Sequence, residues 1–421
     1  MDRTAGAGGA LPRATAAGGS DDGSFRAGIA AVVELTVTPL ADWYEEGAAR
    51  FEIGAAFFKP ETRVARDFGV LAAAVYRQQH PQLEVLDGMS GCGIRALRYA
   101  LEAKADWLWV NEANPEHAAV LHQNVKAQLP PGQFRVTIGS VRCVLQDCLQ
   151  QQRYFDLVDL DCFGSPAADL TDCIRATRLN GLMYLTTTDS RTCEGHNPAA
   201  SLRHFGAYAR AHPATREQGL RLLLGMVSQQ AAMQGFAIAP LFSYFQGQTY
   251  RVMVRLVKGH HWSEAQSGFV GHCHACGHYD AVDWRRLSRA VCPHHETPLP
   301  LTLSGPLWLG PLHDLAYLTS MGDLAQRWGW QDRKVLLDLM AGEIPFPPYF
   351  FTLAELGRRA KVDIPKRSQL LIALKKNNYK AALTHIEPQA VKTDASILAL
   401  IALAKELQSN FKKHLGFTNI D

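Results

Sequence analysis

The sequence predicts an α/β fold with a doubly wound, mostly parallel sheet, followed by a smaller α+β domain. From about Val32 to Lys258, strand-like apolar runs alternate with helical segments, which is the pattern of a parallel sheet with crossover helices. The last two runs are separated only by residues 245–249, so they should form an antiparallel hairpin at a sheet edge. After Gly259 the alternation stops, and a Cys/His-rich insert follows at residues 270–296.

The expected strands contain the most continuous apolar runs of the chain. In order, they are Leu83–Asp87, Trp107–Glu112, Phe134–Gly139, Phe155–Asp161, Gly181–Thr188, Phe236–Tyr244 and Tyr250–Lys258. Helical patterning returns in the second domain. It covers Leu315–Leu339, Leu353–Ala360 and Ser368–Asn377, with Ser368 as the predicted cap of the last helix.

Composition suggests three regions. Residues 1–28 are rich in Gly and Ala and predict a disordered tail, residues 29–258 the sheet domain, and residues 259–421 the second domain. The sequence contains no run of eighteen apolar residues, so no membrane span is predicted. The nine scattered cysteines suit a reducing compartment, so we expect a cytoplasmic protein. Organellar targeting stays open, although acids in the tail argue against a transit peptide. Nothing indicates an obligate protein partner, and a monomer is expected.

The segment Tyr154–Pro166 is the strongest functional signal, because an apolar strand runs directly into an acid, a small residue, an aromatic residue and a turn. This order suits methyl transfer to an exocyclic amine. The Asp161 carboxylate and the Cys162 carbonyl would accept the two amine hydrogens, and Phe163 would stack on the base. A buried strand that ends in an acidic turn is the structural alternative.

A glycine-rich turn follows the first strand and predicts a cofactor site at the carboxyl end of the sheet. The next strand ends at Glu112, at the distance where a carboxylate binds ribose hydroxyls. Arg66 and Arg95 are candidates to pair with a cofactor carboxylate, and an arginine on the surface of a helix is an equal alternative for either. The dehydrogenase spacing Gly-x-Gly-x-x-Gly is absent, and the hairpin ending is typical of class I methyltransferases. The expected contacts from the two turns are Asp87, Gly88, Ser90, Gly91, Gly93, Arg95, Glu112 and Ala113.

Over residues 44–400 the sequence resembles the tRNA guanine-26 N2-dimethyltransferase family. The matching motifs are Tyr44–Gly47, Phe57–Pro60 with Arg66–Asp67, Asp87–Arg95, Asp159–Pro166, Thr188–Asp189 with Gly195, Glu217–Leu224, Gly305–Leu312 and His385–Ala395. The resemblance implies that Asp161 and the following carbonyl bind the guanine amine. It also implies that Arg66, Arg95, Glu112 and the turn Ser140–Val141 contact S-adenosylmethionine.

Three positions depart from the family pattern. The family usually has proline at the position of Cys162, aspartate at that of Ser140 and often asparagine at that of Lys59. None of these changes removes the Asp161 carboxylate, so we expect an active enzyme.

A second site is predicted in the Cys/His-rich insert. Cys273, Cys276, Cys292 and His295 have the spacing of a zinc ribbon. His294 and His274 are rival ligands. Four protein ligands would make a structural Zn²⁺ site outside the chemistry.

Basic charge is concentrated near the end of the chain. Between Leu356 and Leu415, twelve Lys and Arg stand against four acids, whereas the other residues sum to −5. This asymmetry suggests a polyanionic partner, and a solvated helix face is the alternative. The candidate phosphate-binding residues are Lys375, Lys376, Lys380 and Lys392. For Lys392, a structural role between the two domains is equally open.

Together these features predict an S-adenosylmethionine-dependent enzyme that methylates N2 of guanine-26 in tRNA, once or twice. Two alternatives remain from the sequence alone. One is a methyltransferase for another exocyclic amine of RNA or DNA, and the other is an RNA-binding protein on a decayed methyltransferase fold.

Overall fold

The structure, a computed structural model, describes residues 43–414 of the 421-residue chain, so the predicted tail at residues 1–28 lies outside the described residues. The strands are β1 Trp43–Glu46, β2 Ala49–Glu52, β3 Glu84–Asp87, β4 Trp107–Glu112, β5 Phe134–Ile138, β6 Phe155–Leu160, β7 Thr177–Thr187, β8 Phe236–Gln246, β9 Thr249–Lys258, β10 Ser267–His272, β11 Tyr279–Val282, β12 Val291–Cys292, β13 Leu299–Pro300, β14 Thr302–Trp308, β15 Phe351–Thr352, β16 Ala381–Ala382 and β17 Ala390–Thr393. The α-helices are α1 Arg63–Gln79, α2 Ile94–Leu101, α3 Ala118–Gln128, α4 Val141–Gln150, α5 Leu170–Ala176, α6 Ser190–Cys193, α7 Pro198–Phe205, α8 Thr215–Met233, α9 Leu315–Arg327, α10 Gln331–Gly342, α11 Leu353–Ala360, α12 Arg367–Lys376 and α13 Ile397–His414.

Seven strands form the central sheet in the order β5-β4-β3-β6-β7-β9-β8. Strands β3 to β7 pair in parallel, whereas β9 runs antiparallel to both β7 and β8. The predicted α/β fold and its hairpin at the sheet edge are therefore confirmed. The helices between the parallel strands follow because a parallel connection must cross over the sheet.

Both faces of the sheet are covered, which explains why its strands consist mostly of apolar residues. Neighbouring residues on one strand enter different cores, as strand geometry requires. Val85 belongs to the core formed with α1, α2 and α9, whereas Leu86 belongs to the core formed with α4, α5 and α8. Leu157 and Val158 on β6 divide in the same way.

After Lys258 the strands belong to small separate sheets. Strands β11, β10 and β14 form one antiparallel sheet, β12 and β13 form a ribbon, and β15, β17 and β16 form a third sheet. Helices α11 and α12 pack on α13 beside this third sheet. The later part of the chain packs against the first, because the Tyr317 hydroxyl donates to the Ala72 carbonyl (2.8 Å) and Arg333 pairs with Asp67 (2.7 Å).

Two details of the helix prediction differ from the structure. The helical patterning predicted over 315–339 is divided between two helices, α9 and α10, which are separated by a turn in which Gly329 has a φ of +74°. The last predicted helix begins at Arg367, so Ser368 is its second residue, and no side chain caps its first turn. Among the described residues, no helix is long and apolar enough to span a membrane.

Candidate active site

The glycine turn after β3 and the acidic turn after β6 lie at the same edge of the sheet. Strands β3 and β6 pair in parallel with Asp87 opposite Asp159, so their carboxyl ends are adjacent, where open α/β sheets bind ligands. A cavity of about 310 Å³ lies there, within the size range of small-molecule sites. The two predicted functional turns thus face one pocket.

Most of the predicted site residues line this pocket. They are Arg66, Ser90, Gly91, Arg95, Glu112, Ala113, Asp161, Cys162 and Phe163. Five other predicted contacts are not among the lining residues: Asp87, Gly88, Gly93, Ser140 and Val141. Gly88 has a packing role, since a Cβ there would lie 2.8 Å from the Val141 side chain.

The glycine turn is tied to the end of β4 through Glu112. One carboxylate oxygen of Glu112 accepts from the Gly91 amide (2.7 Å), and the other accepts from the Asn114 amide (2.8 Å). Gly91 has a φ of +56°, which favours glycine there. The turn therefore brings its backbone and the Glu112 carboxylate together in the pocket wall, as a ribose-binding role requires.

Asp161 is held by two arginines. Its Oδ2 accepts from Arg95 Nη2 at 2.6 Å, and its Oδ1 accepts from Arg251 Nη2 at 3.3 Å. Burial alone would raise the pKa of Asp161, but the charges of Arg95 and Arg251 hold it well below its usual range. The carboxylate is therefore ionised at physiological pH and can only accept hydrogen bonds.

The two arginines predicted to bind a cofactor carboxylate are already paired within the protein. Arg95 donates to Asp159 (3.0 Å) and Asp161. Arg66 donates through Nε to Glu46 (2.7 Å) and through Nη1 to the Thr62 hydroxyl (2.6 Å). A guanidinium is the preferred partner of a buried carboxylate. Both line the pocket, and their contact with a cofactor carboxylate stays a prediction.

Two more acids are buried close to these pairs. Asp159 Oδ2 accepts from the Tyr99 hydroxyl (2.7 Å) as well as from Arg95. Burial, and then the negative charge of Asp159, raise the pKa of Asp87 to about 8. Asp87 is therefore mostly protonated at neutral pH and does not offer a charged carboxylate to a ligand.

Of the two residues that follow Asp161, Cys162 is buried and Phe163 is exposed. The Cys162 thiol is buried and donates to the Thr186 carbonyl (3.0 Å), and burial raises its pKa to about 12, so it remains neutral. The Cys162 carbonyl accepts no hydrogen bond from any of the described residues, which leaves it available to a substrate. The Phe163 side chain is 75% exposed, and its ring packs edge-on against Phe57 at 5.4 Å.

Several pocket residues were not assigned a role from the sequence. The missed residues include Phe57, Lys59, His117, Thr188 and Arg251. Phe57 and Lys59 lie in a motif that matches the family, so the signal was present. Arg251 reaches the pocket only because β9 pairs with β7, with Arg251 opposite Thr186. No local pattern in the sequence marks that contact.

The Cys/His-rich insert forms a cluster as predicted. The ligand atoms of Cys273, Cys276, Cys292 and His295 all lie within 4.8 Å of one another, so these residues can hold a metal ion. His294 stays close, with its Nδ1 3.7 Å from the Cys276 sulfur. No disulfide competes for these thiols, since all nine cysteines are free.

The predicted tRNA-binding lysines separate into two groups. Lys375, Lys376 and Lys380 are exposed at and after the end of α12. Lys392 is 1% exposed and donates to Glu217 (2.7 Å) on α8. A buried ammonium cannot reach a phosphate, so the structure contradicts the tRNA-binding role of Lys392 and favours the structural alternative.

The sheet order, the two turns and the pocket between them define a class I methyltransferase fold. The solved structure of Trm1 from Pyrococcus horikoshii in complex with S-adenosyl-L-methionine has the same fold. Its TM-score is 0.75 at 24% sequence identity, over 86% of this chain and 99% of that chain.

The family model described as N2,N2-dimethylguanosine tRNA methyltransferase matches residues 45–405, and this chain belongs to that family. Similar relatives are the tRNA (guanine(26)-N(2))-dimethyltransferases of Thermococcus kodakarensis and Pyrococcus abyssi. The first is 30% identical over 352 residues, and the second is 27% identical over 354 residues. Each alignment covers 80% of this chain and 90% of the relative.

Proposed function

We infer that this chain is an S-adenosylmethionine-dependent tRNA methyltransferase that transfers one or two methyl groups to the N2 amine of guanine-26. The observation that carries this function is the ionised Asp161 carboxylate, which shares one pocket with the glycine turn. Family membership supports the substrate, because the relatives carry that activity in their names.

The pocket fits the methyl donor. Gly91 lines it without a side chain, and the Glu112 carboxylate lies in the same wall. Bound S-adenosylmethionine supplies an electrophilic methyl group on a sulfonium. We propose that Ser90, Gly91 and Ala113 contact this cofactor directly and that Glu112 accepts hydrogen bonds from its ribose. Asp87, Gly88 and Gly93 would shape the turn, and Ser140 and Val141 the neighbouring helix start.

Asp161 and the residues that follow it orient the guanine amine for methyl transfer. The Asp161 carboxylate accepts one N–H of the guanine amine, and the Cys162 carbonyl accepts the other, which directs the nitrogen lone pair towards the methyl group. Phe163 and Phe57 present exposed rings on which the base stacks. After transfer the amine carries one proton too many. Asp161 is its nearest acceptor and passes it on to solvent, because the low pKa of Asp161 makes the acid form short-lived.

The target base must leave the tRNA helix to enter this pocket, which costs a few kcal/mol. We propose that Lys375, Lys376 and Lys380 bind tRNA phosphates and that this binding offsets the cost. Their exposure at the end of α12 supports the role. Phosphate contacts orient the substrate without reading its sequence.

Methyl transfer to a tRNA transcript tests this function. The purified protein, S-adenosylmethionine and a transcript with guanine at position 26 should yield N2-methylated guanosine by nucleoside mass spectrometry. Asp161→Asn keeps the shape of the side chain and should lower the rate by at least about 100-fold. A transcript with adenine-26 is the matched substrate control. Product at another guanine, or equal product from Asp161→Asn, would refute the assignment.

We further propose that Cys273, Cys276, Cys292 and His295 bind a structural Zn²⁺. The soft thiolates and the closed set of four protein ligands favour zinc. Elemental analysis should find about one zinc per chain, and Cys276→Ser should lower that content and the thermal stability. His295→Ala and His294→Ala, measured in parallel, identify the histidine ligand. Zinc-free protein with unchanged stability would contradict the proposal.

The remaining parts of the proposal concern the roles of the two domains, the oligomeric state and the cellular location. We propose that residues 29–258 act as the methyltransferase domain and residues 259–421 as the tRNA-binding domain, supported by the end of the central sheet at Lys258. A monomeric, cytoplasmic enzyme completes the proposal. The nine free cysteines support a reducing compartment. Light scattering at assay concentration tests the monomer, and fractionation of cells tests the location.

A further inference from the structure

Residues 188–211 form a segment beside the turn that carries Asp161, and we call it the arginine segment. It contains α6, α7 and the first part of the loop that leads to α8. Its first residue is bound to that turn. The Thr188 amide donates to the Gly164 carbonyl (3.0 Å), and the Gly164 amide donates to the Thr188 hydroxyl (2.8 Å). Because Thr188 also lines the active-site pocket, the arginine segment begins at the pocket itself.

Further hydrogen bonds fix the rest of the arginine segment. The Ser165 hydroxyl donates to the His204 carbonyl at 3.4 Å, and His204 Nδ1 lies 2.8 Å from Asp189 Oδ2. Later in the segment, Tyr208 exchanges two backbone hydrogen bonds with Gly305, at 2.8 and 2.9 Å. The segment is thus held by the catalytic turn on one side and by the second domain on the other.

Three arginines of this segment are exposed and unpaired. The side chains of Arg191, Arg203 and Arg210 make no hydrogen bond or ion pair with any residue that the structure describes. An unpaired guanidinium keeps all five N–H groups for a partner, and its planar fork fits the oxygens of a phosphate. Three such groups on one short segment favour a polyanionic partner.

The acids of the arginine segment do not cancel this charge. Asp189 accepts from the Thr192 amide at 3.3 Å and pairs with His204. Glu194 accepts from the Tyr250 hydroxyl at 2.9 Å. Both carboxylates are therefore bound within the protein, and the exposed charge of the segment is positive.

Exposed aromatic rings accompany the arginines. Tyr208, which lies between Arg203 and Arg210 in the sequence, is 44% exposed, and Phe163 on the adjoining turn is 75% exposed. Rings among basic side chains are typical of surfaces that bind single-stranded nucleic acid, because bases stack on the rings while cations bind the phosphates. A base that leaves its helix also unstacks its neighbours, so rings beside the pocket suit the nucleotides next to the target.

We propose that the arginine segment binds the RNA strand that flanks the target guanine. Arg191, Arg203 and Arg210 bind its phosphates, and Tyr208 stacks on a neighbouring base. The inference rests on the proposed function and adds to it an RNA-binding surface on the methyltransferase domain. Unlike the exposed lysines near α12, this surface adjoins the pocket that the target base enters, so it can hold the strand while the base is turned out.

The salt dependence of tRNA binding tests the three charges. A full-length triple variant with Arg191→Gln, Arg203→Gln and Arg210→Gln should lower the salt slope by about 2 to 3 and the tRNA affinity about 10- to 100-fold. The cofactor Kd should stay within about twofold, since the segment's cations do not line the pocket. If the triple variant loses cofactor binding, the three single variants replace it, and each should lower the slope by about 0.7 to 0.9.

A second triple variant, with Lys126→Gln, Arg175→Gln and Arg327→Gln, is the matched control. These cations are exposed, are unpaired among the described residues and do not line the pocket. The control should keep a salt slope within about 1 of wild type. If both triple variants change tRNA binding equally, the effect is one of net charge and the inference is overturned. Methylated product from the wild type would still uphold the proposed function in that case.

Tyr208→Leu tests the stacking contact. It should lower kcat/KM about 5- to 50-fold without changing the salt slope, because the ring carries no charge. Tyr154→Leu is the matched control, since Tyr154 is also 44% exposed and precedes β6 at the opposite edge of the sheet. Equal effects of the two substitutions would overturn the stacking role.

Neutral linkages in the RNA locate the contact. A synthetic tRNA with methylphosphonates on both sides of guanine-26 should bind wild type about 5- to 20-fold more weakly than normal tRNA. The arginine triple variant should bind the two RNAs within about twofold of each other, because both changes remove the same interaction. Additive losses would place the arginines on another part of the RNA and overturn the inference. Coupled losses without any methylated product would overturn the proposed function and leave the RNA-binding surface standing.

Discussion

Replacement of Lys392 by methionine should destabilise the fold without changing how the affinity for tRNA depends on salt. The Lys392 ammonium donates to Glu217 Oε1 at 2.7 Å and to the Pro347 carbonyl at 3.0 Å. Glu217 is fully buried and is also paired with Arg221 at 2.8 Å. The substitution keeps a long side chain but removes the charge, so its main effect falls on Glu217.

The magnitude follows from that arrangement. Removing one partner of a buried ion pair costs about 3–5 kcal/mol, because an uncompensated charge remains. Glu217 keeps Arg221, so we expect the lower end, about 3 kcal/mol in the free energy of unfolding. Neutralising the acid as well, by Glu217→Gln, should recover part of this loss, since the two positions share one network.

Urea unfolding and tRNA binding together test the reasoning. Lys392→Met should lower the urea midpoint, and the double variant with Glu217→Gln should lose less than the sum of the single changes. The dependence of tRNA affinity on salt should match that of wild type, with Lys126→Met as control. Normal stability together with a salt slope reduced by about 0.7 to 0.9 would mean that Lys392 reaches a phosphate, and would refute the structural role.

Three other outcomes are expected. Asp87→Asn should flatten the pH dependence of stability. The pKa of Asp87 in the folded protein is about 8, above its ordinary value of 3.8. The contribution of Asp87 to the free energy of unfolding is therefore complete below about pH 4 and falls by up to about 1.4 kcal/mol per pH unit towards pH 8. Urea midpoints of the variant that keep the wild-type pH dependence would contradict this. Phe163→Ala should lower kcat/KM about 10- to 100-fold with the cofactor Kd unchanged, because the ring is exposed for base stacking. Steady-state kinetics tests the change in kcat/KM, and calorimetry tests the cofactor Kd. Replacing Lys375, Lys376 and Lys380 together by glutamine should reduce the salt slope of tRNA binding by about 2 to 3, and an unchanged slope would remove them from the interface.

Local sequence patterns were enough to predict the turns that line the pocket and the cysteine pair of the insert. The β6 segment Phe155–Leu160 is buried along its whole length, and four of its six residues are apolar, as burial on both faces favours. The acid after such a strand must lie at the carboxyl edge of the sheet. The same argument predicted the glycine turn after β3, and the spacing of Cys273 and Cys276 predicted their pairing on one tight turn.

Charge pairing was the part that local patterns did not predict. The sequence contains Arg66, Arg95 and Lys392 in motifs that suggest ligand contacts, yet each meets a carboxylate from a distant part of the chain. Lys59 was not assigned a role from the sequence although its motif matches the family, and only the structure shows that it lines the pocket.

The amino-acid sequence by itself therefore determined the sheet, its hairpin edge, the two functional turns and the cysteine cluster, because these depend on periodicity, turn chemistry and short spacing. Only the tertiary structure decided which charges are neutralised and which are free. An ion pair depends on the distance between atoms that may be more than a hundred residues apart, as for Glu217 and Lys392, and burial decides whether each charge must be compensated inside the protein or can meet a ligand.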